Sequence, residues 1–283
     1  MKLVSFQTQD GRKSYGIYTD EGIVDLGKRL GDRFHDIKSL LGANSLSLAR
    51  TYSESQPDYK EEEIVFLPII EQPNKIFCVG MNYAEKRKEF NETNNAPTLF
   101  IRFPDSQTGH DCRVVKPEHS NEFDYEGELA VIIGKGGMAI KQEDALSHVA
   151  GYSCYMDGSA RDWQHTWFTA GKNWRETGAF GPCLVTADEV GNPQELGIRT
   201  YLNGMKVQDD NTGNMIHTIA SLIEYISTFS ALSAGDVIIT GSPGGVGKKR
   251  VPPLFLKEDD IIEVEIDRLG RLRNYIAREA AVA

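Results

Sequence analysis

The chain of 283 residues contains no run of 18 consecutive apolar residues, so no segment of it reads as a membrane-spanning helix. It also lacks paired cysteines. Cys78, Cys112, Cys154 and Cys183 stand at least 29 residues apart, and without a CxxC spacing a cysteine zinc site is not expected. Each reads as a small, reduced core residue. A basic excess is missing too: 31 Lys and Arg face 41 Asp and Glu, a net charge of −10, which argues against a nucleic-acid partner. The first residues, MKLVSFQTQDGRKSYG, have one early Lys and no long apolar stretch, unlike a secretory leader. A cytoplasmic protein without membrane or nucleic-acid partners is expected. The glycine-rich TGSPGGVGKKR, residues 240–250, is not a nucleotide motif. Five residues separate Gly241 from Gly247, Lys249 follows Lys248, and Pro252 and Pro253 disfavour a following helix.

What is present is ordinary globular composition, 40% hydrophobic and 25% charged, at a length that suits one large domain or one with a small companion. Residues 1–70 read as a small N-terminal β-rich unit. SYGIYTDEGIVDLG predicts a hairpin turning over Thr19–Gly22, HDIKSLLG a helix, and the polar stretch 52–63 a linker or solvated surface. Residues 71–283 carry the strands KIFCVG, TLFIRF, LAVIIG, GYSCYMDG, GPCLVTADEV and DVIITG, and end in the hairpin DIIEVEIDRLGRLRNYI. One long helix is expected in NMIHTIASLIEYISTFS, where Met215, Ile219, Leu222, Ile223, Ile226 and Phe229 share a face, with Asn211, Thr212 and Asn214 as capping candidates. NYAEKRKEFNETNNAP offers one or two helical turns without an apolar stripe and is expected to be mobile. Strands outnumber helices and do not alternate with them, which predicts a β-rich α+β fold.

In FDYEGELAVIIG, residues 123–134, Glu126 and Glu128 stand two apart and share one strand face just before an apolar run. Two like charges entering a core repel unless one is protonated or a cation sits between them. Asp157, at the end of another strand, supplies a third carboxylate. Three carboxylates without Cys or His suit a hard cation, Mg²⁺, Mn²⁺ or Ca²⁺. The alternative is a solvated strand face and a turn aspartate.

Next to Asp157, DGSARDWQ brings Arg161 and Gln164, and FTAGKNW brings Lys172. An Arg and a Lys suit a substrate carboxylate, and the Gln amide can donate to a carbonyl oxygen. Against this, Arg161 could pair with Asp162 or a distant acid, and Lys172 could lie on the surface. Glycines of the 240–250 loop let backbone N–H groups and Ser242 receive a carboxylate or oxyanion; the alternative is a tight turn. Trp163, Trp167, Phe168 and Trp174 could form a ring-sized pocket or belong to the core.

KIFCVGMNY, PTLFIRF, DYEGELAVIIG, DGSARDWQ, FTAGKN, GAFGPCLVT, LNGMKVQ, LIEYIS and GDVIITGSPGGVG, in this order, resemble the fumarylacetoacetate hydrolase family over residues 74–283. The resemblance implies a β-roll catalytic domain behind a small N-terminal domain, and a homodimer. It implies a divalent metal, Mg²⁺ or Mn²⁺ with Ca²⁺ as a third choice, on Glu126, Glu128 and Asp157. It further implies a small 2-oxo acid substrate oriented by Tyr83, Arg161, Gln164, Lys172, Ser242 and Gly241, and catalysis by Lys86, Glu89 and Lys172. One position departs from the family. Its mobile lid carries a His–Glu pair that activates water, and here Lys86 stands in place of the His while Glu89 is kept. Lys86 and Glu89, at i and i+3, could instead form an ion pair. His110 and His119 are the other candidates for the missing base. The first expectation is metal-dependent hydrolysis of a C–C bond in an acylpyruvate-like 2,4-dioxo acid. The second is decarboxylation or keto–enol isomerisation of a 2-oxo (di)carboxylic acid on the same site. The third is a catalytically weak dicarboxylate-binding protein.

Overall fold

The computed structural model describes residues 1–279. An 11-stranded sheet dominates, and its main path runs Gly22–Asp25, Lys13–Thr19, Lys2–Thr8, Gly178–Thr186, Val149–Asp157, Gly127–Ile133, Val237–Ile239, Ile76–Gly80, Thr98–Ile101. A second sheet of five strands holds Met205–Asn211, Gly197–Leu202, Ile261–Ile266, Gly270–Arg278 and Arg113–Lys116. The fold is the expected β-rich α+β type. The large sheet runs across residue 70, because Lys2–Thr8 pairs antiparallel with Gly178–Thr186.

Strand Gly127–Ile133 lies in the middle of this sheet and is buried on both sides. Leu129, Val131 and Ile133 face one apolar core, and Ala130 and Ile132 face the other. Burial on two faces explains why LAVII is continuously apolar rather than alternating. Glu126 and Glu128 have the parity of Ala130 and Ile132 and mark the end of that face.

The hairpin forms between Lys13–Thr19 and Gly22–Asp25, with Thr19 opposite Gly22. Of the two readings of the polar stretch 52–63, linker or solvated surface, the structure shows the second: a half-exposed strap docked on the hairpin. The Ile23 N–H donates to Tyr59 O at 2.8 Å, and Asp58 receives the Asp25 N–H at 2.8 Å. The long helix spans Ile219–Phe229, and its cap is Thr218, whose side chain accepts the Ser221 N–H. Asn211 caps the short turn before it instead, so the helix starts later than the candidates Asn211, Thr212 and Asn214 imply. Cys78, Cys154 and Cys183 are buried, Cys112 is half-buried, and all four are free thiols.

Candidate active site

Two strands deliver the acidic groups. Glu128 pairs with Tyr155 and Gly127 with Met156, and the Asp157 N–H donates to Glu126 O at 2.8 Å. The end of one strand is thereby fixed beside the start of the other. One oxygen from each of Glu126, Glu128 and Asp157 lies within 4.8 Å of the others, and all three side chains are buried. Glu128 tests whether this triad suits a cation. Its carboxylate accepts the Gly241 N–H at 2.7 Å, and among the described residues no Lys or Arg nitrogen pairs with it. Burial, then the charges of Asp157 and Glu126, push its carboxyl well above the usual carboxylate range. An all-oxygen donor set with an unneutralised buried carboxylate fits a hard divalent cation.

Four cationic side chains surround the triad. Lys172 Nζ donates to Glu126 Oε2 at 2.5 Å, to Asp157 Oδ2 at 2.6 Å and to Ser159 Oγ at 2.6 Å. Burial opposes the Lys172 ammonium, but the charges of Asp157 and Glu126 outweigh it and hold its pKa above the ordinary lysine value. Lys86 Nζ donates to Glu126 Oε1 and to Ser242 Oγ. Arg161 donates from Nη2 to Glu126 Oε1 and from Nε to Asp124 Oδ2, both at 2.9 Å. Arg102 donates from Nη1 to Asp157 Oδ1. Burial alone would raise the Glu126 carboxyl; Arg161, Lys172 and Lys86 together hold it well below the usual range.

Lys86 arrives on helix Ala84–Phe90, so the stretch expected to be mobile forms a docked lid. Lys86 is buried although it lies in a polar segment, because its ammonium finds acidic and hydroxyl partners inside. Glu89 turns elsewhere: its Oε1 accepts the Gly245 N–H at 2.8 Å, and its Oε2 is buried without a partner among the described residues. Lys86 and Glu89 therefore do not form the i, i+3 ion pair. The Phe90 ring sits 4.4 Å from Lys249 Nζ, a cation–π contact that fastens the same end of the lid. Beneath the lid a cavity of about 20 Å³ is lined by Lys86, Glu126, Glu128, Lys172, Phe100 and Phe168, among others. This space holds about one water, so a substrate is admitted only when the lid or the Phe100–Phe168 pair moves.

The glycine loop receives carboxylates, as its composition suggests, but they are the protein's own. Gly241 N–H serves Glu128, Gly245 N–H serves Glu89, and Gly247 N–H donates to Asp124 Oδ1 at 2.7 Å. Ser242 meets Lys86. The Gln164 Oε1 lies 3.5 Å from Arg161 Nη1, and its Nε2 is buried without a partner. Tyr83 belongs to the apolar core, and its hydroxyl has no hydrogen-bond partner among the described residues. Trp163 and Trp174 pack edge to face at 5.0 Å, whereas Trp167 is 78% exposed. His110 packs on Phe66 and His119 on Trp174, so neither supplies a base to the cavity. Sequence reasoning missed Arg102, Asp124 and Ser159. Asp124 had a signal, since 124, 126 and 128 share one parity; Arg102 and Ser159 had none of comparable kind.

A family model for the fumarylacetoacetate (FAA) hydrolase C-terminal region matches residues 75–277. The chain is 40% identical over 288 residues to a mitochondrial oxaloacetate tautomerase of Xenopus laevis, covering 97% of this chain and 89% of that protein. It is 42% identical over 243 residues to the mitochondrial oxaloacetate tautomerase FAHD2A of Homo sapiens, covering 83% and 77%. A fumarylacetoacetate hydrolase structure from Exiguobacterium antarcticum superposes with a TM-score of 0.84 at 32% identity, covering 99% of this chain and 100% of that one. A maleylpyruvate hydrolase of Sphingobium sp. SYK-6, solved with manganese(II) and pyruvate, shares the fold at 24% identity, TM-score 0.84 and the same coverage.

Proposed function

The chain belongs to the fumarylacetoacetate hydrolase family, and from that premise we propose that it is a keto–enol tautomerase of a 2-oxo dicarboxylic acid of the oxaloacetate type. The family contains hydrolases and isomerases, so membership does not choose between them. The names of the two relatives favour isomerisation.

The observation that carries the reading is the hydrogen-bond state of Lys86. An ammonium has three donors. Lys172 spends all of its own on Glu126, Asp157 and Ser159. Lys86 uses two, on Glu126 and Ser242, and lines the cavity with a third N–H that has no acceptor among the described residues. Hydrolysis requires a group that activates water. The two residues at the family's water-activating positions are turned apart, Lys86 to Glu126 and Glu89 to Gly245. Isomerisation needs only a proton carrier.

Glu126, Glu128 and Asp157 would hold the divalent cation, Mg²⁺ or Mn²⁺, which supplies Lewis-acid stabilisation of negative charge on the 2-oxo oxygen. Lys172 and Arg161 keep the carboxylates of Glu126 and Asp157 in place. In the enol-to-keto direction the enol O–H bond breaks and a C–H bond forms at C3. Lys86 Nζ delivers the proton to C3 and recovers the one released from the enol oxygen. Glu126 Oε1 and Ser242 Oγ hold the nitrogen during the exchange. Nothing but a proton changes place, and the closed lid keeps bulk water from the enolate.

The test follows the enol absorbance of oxaloacetate with and without the metal-loaded protein. CO₂ release and acylpyruvate cleavage are assayed in parallel. Faster enol–keto exchange without CO₂ release is expected. Cleavage of acylpyruvate with no change in the exchange rate would reverse the assignment to hydrolase.

A further inference from the structure

Among the described residues ten charged side chains are buried. Two, Asp25 and Asp236, are paired with Arg12 and Lys75 away from the cavity. The other eight belong to the site: Asp124, Glu126, Glu128 and Asp157 against Lys86, Arg102, Arg161 and Lys172. They form one network. Arg102 and Lys172 share Asp157, Lys172, Lys86 and Arg161 share Glu126, Arg161 reaches Asp124, and Glu128 completes the triad.

By formal charge this network is neutral. A divalent cation on the triad leaves an excess of two positive charges in a space closed to solvent. Uncompensated charge in a low-dielectric interior is costly and acts over several ångströms. The ligand that returns the site to neutrality carries two negative charges. With a neutral side chain at position 86, only one would be needed.

We propose that Lys86 sets the charge of the ligand and makes this site selective for dianions over monoanions. Of the four cations, Lys86 alone comes from the lid, so its charge is brought in as the lid closes over the ligand. Arg102 instead follows strand Thr98–Ile101, Arg161 follows the short strand Ser159–Ala160, and Lys172 ends the short helix Thr169–Lys172. A dicarboxylic 2-oxo acid fits this requirement and an acylpyruvate monoanion does not. The inference rests on the tautomerase reading only for the 2-oxo end of the ligand.

The test measures binding rather than turnover. Full-length protein loaded with Mn²⁺ is titrated calorimetrically with oxalate, a dianion, and with pyruvate, a monoanion. Mn²⁺ occupancy is checked by electron paramagnetic resonance. The ratio of the two affinities is compared between the native chain, Lys86→Met, Lys86→Gln, Lys86→Arg and Lys248→Met. Because both probes present two chelating oxygens, comparing variants removes their intrinsic difference in metal affinity. The ratio is expected to fall at least tenfold in Lys86→Met and Lys86→Gln. It is expected to stay within threefold in Lys86→Arg and in Lys248→Met, which removes an exposed charge. Two neutral variants guard against one that does not fold. An unchanged ratio in a folded, Mn²⁺-loaded neutral variant overturns the proposal, as does an equal loss in Lys248→Met. Enol–keto turnover by the native chain, together with an unchanged ratio in the neutral variants, refutes this inference alone. A ratio lost in the neutral variants, with no enol–keto turnover by the native chain, leaves it standing and refutes the tautomerase reading.

Discussion

Glu89 Oε1 accepts the backbone N–H of Gly245 at 2.8 Å, so a carboxylate fastens the lid helix to the glycine loop. Gly244 lies directly beneath: a Cβ there would meet Glu89 Oε1 at 3.1 Å and Glu85 Cβ at 3.2 Å. A hydrogen bond to a charged group is worth about 1.5–3 kcal/mol, roughly a tenfold to hundredfold effect on lid opening. Glu89→Ala is expected to speed amide exchange over residues 84–90 by that factor. Its kcat for enol–keto exchange should fall less than tenfold. A fall of about a thousandfold, the size of a lost general base, would make Glu89 a reacting group.

Among the described residues, Glu128 is the acid of the triad without an ionic partner. Glu128→Gln removes the repulsion that burial, Asp157 and Glu126 impose on it, and keeps an acceptor for the Gly241 N–H. In protein stripped with EDTA the melting temperature is expected to stay level or rise. Mn²⁺ affinity is expected to fall by more than about 100-fold, beyond what outer-sphere changes cost. A lower melting temperature in EDTA with unchanged Mn²⁺ binding would mean that the carboxylate serves the fold alone.

Arg102 is buried behind Asp157 and spends its guanidinium on Asp157 Oδ1, Gly158 O at 3.1 Å, Thr177 Oγ1 at 2.7 Å and two atoms of Ser106 at 3.2 Å. Arg102→Met strands Asp157 on that side. Breaking one side of a buried pair costs about 3–5 kcal/mol, which urea denaturation of the metal-free protein should register. A change under about 1 kcal/mol, the range of an exposed pair, would show that Lys172 alone suffices for Asp157.

His110 is held neutral. Burial lowers its pKa from the ordinary 6.5, and its Nδ1 receives the Arg273 N–H at 3.1 Å beside the Phe66 ring. The unfolded chain then binds this proton more readily than the folded one. Stability from His110 is present above the unfolded value and is lost as the pH falls through the lowered folded value. His110→Asn, with an acceptor but no titration, is expected to flatten the loss of stability below about pH 6.5. Parallel curves for the two proteins in urea melts would remove His110 from the account.

Period two made the site legible where a strand carries it. The same parity rule that pairs Glu126 with Glu128 reaches Asp124, whose carboxylate ties Arg161 to the glycine loop. Asp157 was legible because it ends a strand before Gly158. Arg102 was not. Its partner Asp157 is 55 residues away, and only the pairing of whole strands brings the two together. The lid read as mobile because its buried residue is a lysine, and no apolar periodicity announces a helix anchored by an ammonium. The strap at 52–63 read as a linker or solvated surface for a related reason: it is held by backbone bonds, the Asp58 carboxylate and the half-buried rings of Tyr52 and Tyr59, too sparse for an apolar period.

The first strand of the chain lies beside Gly178–Thr186, which also pairs with Gln107–Thr108 and with the strand ending in Asp157. Deleting residues 1–70 would remove the partner of Gly178–Thr186 on that side. It would leave an unpaired sheet margin one strand removed from the strand that ends in Asp157. Anyone trimming, tagging or splicing this protein should treat its amino-terminal seventy residues as a buttress, and place affinity handles elsewhere.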